Sequence, residues 1–167
     1  MNTSVNNLLL ETAFACMSCD GEIAKEEVSL LKELSSNDSL FGSIDINEQL
    51  EVMTKRLKTE GKSYLKSYLS SLNSVELSED DELQLLNVAV KTIYADNVIA
   101  YDEIKFFKAI RSHLKVNDDT ILSSIEGVDD MWLAKDFSSV FSDFDNEYFD
   151  NIHYNDIIIP EDITTIK

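Results

Sequence analysis

The chain has 167 residues, with 14 Lys and Arg against 32 Asp and Glu, a formal net charge of −18. That excess of negative charge excludes a protein that grips a nucleic-acid backbone by bulk electrostatic attraction. The length suits one domain with an appendage. One Pro and four Gly are too few for a sandwich or barrel that turns every 8 to 12 residues or so. An all-α fold is therefore expected before any pattern is read, and 44% hydrophobic residues supply its core.

Met1 to Leu10 contain no Lys or Arg, and the longest unbroken apolar run is Ala13 to Met17. No signal peptide or membrane span is expected from such a start. Cys16 and Cys19, the only cysteines, suit a reducing compartment, so the expected setting is cytoplasmic.

Val5, Leu8, Leu9, Thr12, Ala13, Cys16 and Met17 step by three and four, which predicts a first helix ending near Ser18, before Gly21. Val28, Leu31 and Leu34 resume the period in a second helix over Lys25 to Ser35, with Glu26 and Glu27 suiting its N-terminal dipole. Leu50, Met53 and Leu57 mark a third, and beyond Gly61, Leu65, Tyr68, Leu69 and Leu72 mark a fourth. Ser78 followed by Asp81 resembles a capping box for a fifth helix carrying Leu83, Leu86, Val90 and Ile93, ending near Ala95. Ile104, Phe107, Ile110 and Leu114 form the stripe of a sixth, and Asn117 is placed to cap a short seventh with Ile121, Leu122 and Ile125. A compact bundle of about seven helices, residues 1–127 and closed by Gly127, is the expected body.

Residues 128–167 change character. They hold ten Asp and Glu, two Lys and seven of the fifteen aromatics, including the single Trp. Trp132, Phe137, Phe141, Phe144 and Phe149 are too apolar for a freely solvated tail, so this extension is expected to dock on the helical body or on a partner. Trp132, Phe137 and Phe141 are its candidate partner-binding residues. Ile157 to Ile159 read as a short strand.

Laying the chain on itself at an offset of 76 aligns residues 8–34 with 84–110. Leu9 and Leu10 fall on Leu85 and Leu86, Ala13 on Ala89, Asp20 on Asp96, Ile23 and Ala24 on Ile99 and Ala100, Glu27 on Glu103, and Lys32 on Lys108, eight identities in 27 positions. The chain thus reads as two copies of one helix-turn-helix. Each copy carries Asp-x-x-Ile-Ala-x-x-Glu, an acid at the turn and a second in the first turn of the next helix. Asp20, Gly21, Glu22, Ile23 and Glu27 look like the second half of an EF-hand loop, but Cys16 and Ser18, or Thr92 and Tyr94, stand where its first oxygen ligands belong. An ordinary EF-hand is excluded.

Ala15 to Ile23 with Glu26 and Glu27, then Ala89 to Asp96 with Ile99, Asp102 and Glu103, resemble the two acidic motifs of the TerB-like family. That family comprises tellurite-resistance TerB domains and the related N-terminal domain of membrane-anchored DnaJ-like co-chaperones. The resemblance covers about Val5 to Lys115 and departs at Asn97, where Gly is usual, and over the whole aromatic extension. It implies a helical bundle whose copies are related by a pseudo-twofold axis that brings the acidic turns together. It also implies a divalent-cation site in which Asp20, Glu27, Asp96 and Glu103 offer hard oxygen ligands suited to Ca²⁺ or Mg²⁺. The residues by themselves are equally served by structural roles, each Asp holding its turn and each Glu an N-terminus.

Other signals carry less. Cys16 and Cys19 form a Cys-x-x-Cys, but their counterparts Thr92 and Ala95 are small packing residues and no second pair exists for zinc. His113 and His153 lack a nucleophile at recognisable spacing. Lys55, Arg56, Lys58, Lys62 and Lys66 make a local basic run, read as a solvated helix face or a point of peripheral contact with lipid phosphates. Asp143, Asp145 and Glu147 begin like a calcium loop but lack its Gly and closing Glu.

The reading that results is a non-enzymatic, cytoplasmic interaction module of a bacterial stress, tellurite-resistance or defence system, binding protein partners rather than nucleic acid. The rival is an acidic inhibitor or immunity protein that blocks a basic nuclease by complementary charge. A carboxylate-based, metal-dependent hydrolase ranks below both.

Overall fold

A computed structural model of the chain describes residues 3–37, 45–95, 101–128, 130–133 and 154. Eight helices are described: α1 (Thr3–Ser18), α2 (Lys25–Asn37), α3 (Ile46–Glu60), α4 (Lys62–Ser71), α5 (Glu79–Tyr94), α6 (Tyr101–Ser112), α7 (Asp118–Ser124) and α8 (Asp130–Leu133). The expected all-α bundle is the observed architecture. A short eighth helix of four residues follows Gly127. The expected strand over Ile157 to Ile159 lies outside the described residues.

Local chemistry sets the helix ends. Asp45 accepts from the Glu48 N–H at 3.2 Å to start α3. Ser78 and Asp81 exchange side-chain-to-backbone bonds, both 3.1 Å, in the expected capping box of α5. Asn117 accepts from the Thr120 N–H at 2.8 Å and caps α7. Gly61, at φ 62°, separates α3 from α4 and returns its own N–H to the Leu57 carbonyl.

The most extensive helix–helix interface joins α1 to α5, and α6 and α2 pack beside them. Leu9, Ala13, Leu85, Leu86 and Ala89 are completely buried. These helices keep the offset of the sequence repeat: 79 − 3 and 94 − 18 are both 76, as is 101 − 25 for the starts of α6 and α2. Burial follows the same register, with Leu31 and Phe107, Leu34 and Ile110, and Glu27 and Glu103 all buried.

On the outer side of α1 lies α4. Tyr64 meets Phe14 edge-on at 6.0 Å, Tyr68 stacks on Phe106 at 6.3 Å, and the Tyr68 and Thr12 hydroxyls are 2.6 Å apart. Half-buried Glu11 faces this seam, and desolvation pushes its carboxyl pKa up against the opposing pull of the Arg56 guanidinium. A raised folded-state pKa means the ionised form opposes folding at neutral pH, and the opposition fades as pH falls through that value. Glu11→Gln should therefore raise the melting temperature at pH 7 and lose that gain near pH 4, as measured by parallel thermal melts.

Glu82, in the first turn of α5, is only 5% exposed. One oxygen of its carboxylate accepts from the Lys115 and Val116 N–H groups at 2.9 and 2.8 Å, tying the α6–α7 connection to the start of α5. Removing a charged acceptor would strand those two N–H groups, a cost of about 2–4 kcal/mol. Glu82→Ala should lower unfolding free energy by that amount in a denaturant titration, and Glu82→Gln, which retains a carbonyl acceptor, by less.

Candidate functional site

The end of α1 and the start of α2 form the first acidic turn. Ser18 donates its hydroxyl to the Phe14 carbonyl at 2.9 Å, and its own carbonyl accepts the Gly21 N–H at 3.0 Å. Gly21 sits at φ 89°, which a side chain rarely tolerates. Asp20 accepts the Glu22 N–H at 3.0 Å, a local bond that shapes the turn. Glu27 reaches back to the Ala24 N–H at 2.8 Å and so satisfies an open donor at the start of α2. It is buried, at 3% exposure, as is Glu103 at 4% in the first turn of α6.

Glu103 and Glu27 both act on the Cys16 thiol. Burial is the main cause that lifts its pKa well above the ordinary value, and the two carboxylates, Glu103 more strongly than Glu27, lift it further. Burial is again the main cause for Cys19, and the carboxylates of Asp20, Glu103 and Glu27 add to it. Both thiols are thus held in the neutral form, free and buried, as packing residues. The structure therefore brings three of the four expected ligands, Asp20, Glu27 and Glu103, into one electrostatic neighbourhood. Asp96 lies outside the described residues. Among the described residues no group of three or more His, Cys, Asp or Glu side chains is arranged to hold a metal ion. Asp20 and Glu27 each accept a backbone N–H, which holds the turn and the start of α2.

The extension meets this end of the bundle at two described points. Trp132 on α8 stacks on Tyr94 at 5.7 Å and meets Phe107 edge-on at 5.1 Å, leaving 2% of its surface exposed. Of the two expected dockings, on the helical body or on a partner, its ring takes the first, inside the chain's own core. Tyr94 in turn donates its hydroxyl to the Gly127 carbonyl at 2.7 Å. A Cβ at Gly127, φ 91°, would sit 2.8 Å from the Tyr94 ring. Tyr154, also 2% exposed, donates its hydroxyl to the Cys19 carbonyl at 2.6 Å, beside the first acidic turn. The expected partner-binding residues Phe137 and Phe141 lie outside the described residues.

Sequence reasoning missed Glu82 and Tyr154, whose partners are backbone groups far along the chain and leave no local pattern. In the basic run Lys55, Arg56, Lys58 and Lys66 are exposed, and Arg56 pairs with Glu60 at 3.0 Å and lies 4.8 Å above the Tyr64 ring. His113 shares a 2.9 Å hydrogen bond with Asn73.

No family, curated protein or solved structure matches the chain significantly.

The two anchors of the extension differ in kind. Trp132→Ala should cost about 3–5 kcal/mol through the cavity it leaves. Tyr154→Phe should cost about 1 kcal/mol, the value of one buried hydrogen bond. Chemical denaturation of both variants checks the ranking.

Proposed function

We propose that the chain is a TerB-like, non-enzymatic interaction module of a bacterial stress, tellurite-resistance or defence system, working in the cytoplasm through protein partners. One observation carries the reading. α1 with α2 and α5 with α6 start in the same 76-residue register, and the equivalent acids Glu27 and Glu103 are buried where both act on Cys16. Paired helix-turn-helix units with their acids turned into one neighbourhood are what the resemblance implies. Asp20 and Glu27 each accept a backbone N–H, and in this reading the first acidic turn is structural and the outer helix surfaces meet the partner. Among the described residues, no helix is long and apolar enough to cross a membrane, so contact with a membrane would be peripheral.

Calorimetric titration with Ca²⁺ and Mg²⁺, paired with thermal melts of wild type and an Asp20→Asn, Asp96→Asn double variant, tests the assignment of the turns. The expected result is no stoichiometric ion and a variant that melts within a few degrees of wild type. A stoichiometric ion that stabilises wild type through linkage and not the variant would instead make the turns a cation site completed by Asp96. The net charge of −18 supports the second reading, an acidic inhibitor of a basic protein. Rapid association with a basic nuclease, slowed steeply by salt, would favour it over the first.

A further inference from the structure

We draw no further inference here: the strongest candidate, the basic corner where α3 meets α4, formed by Lys55, Arg56, Lys58, Lys62 and Lys66 beside a serine-lined face of α4, carries nothing because nothing in the structure shows what covers it.

Discussion

The packing of α1 against α5 is the constraint from which the rest of the bundle follows. Each helix is the first of a helix-turn-helix, and each has an alanine, Ala13 or Ala89, completely buried at the same position of the repeat. Small residues let helices approach closely, and the leucines beside them fill the space to either side. With that pair placed, α2 packs against α5 and α6 against both α1 and α5. The buried carboxylates Glu27 and Glu103 are a result of this geometry. A charge is costly to bury, and for Glu27 the bond from the Ala24 N–H shows how that cost is met.

The additions to the repeat are not symmetric, and the asymmetry gives the molecule its differentiated surfaces. α3 and α4 are inserted between the copies and cover the outer side of α1. On the α5 side, α7 and α8 follow α6, and Trp132 seals the end of α5.

Most helices were legible in the sequence because their apolar residues step by three and four, and because Ser78, Asp81 and Asn117 bond locally at their starts. The first acidic turn was legible as well, from Asp20 and Gly21 between two apolar periods. What sequence could not show were contacts between a side chain and a distant backbone. Glu82 meets N–H groups 33 and 34 residues away, and nothing about Lys115 or Val116 as residue types announces it. Trp132 was legible as a residue that must bury itself, but the surface that receives it, Tyr94 with Phe107, is assembled from two helices.

The hydrogen bond from Tyr154 to the Cys19 carbonyl spans 135 residues. Chain is made from its N-terminus at a few residues per second, so α1 emerges long before the side chain that finishes its end. Until then the carbonyl of Cys19 and the thiols beside it face a bundle that is incomplete at that corner. A contact of such sequence separation forms late and slowly, since the entropy of closing the loop must be met before the contact returns anything. The corner at Cys19 is therefore completed only once residue 154 has been made, so the last-made part of the chain finishes the end of its first helix.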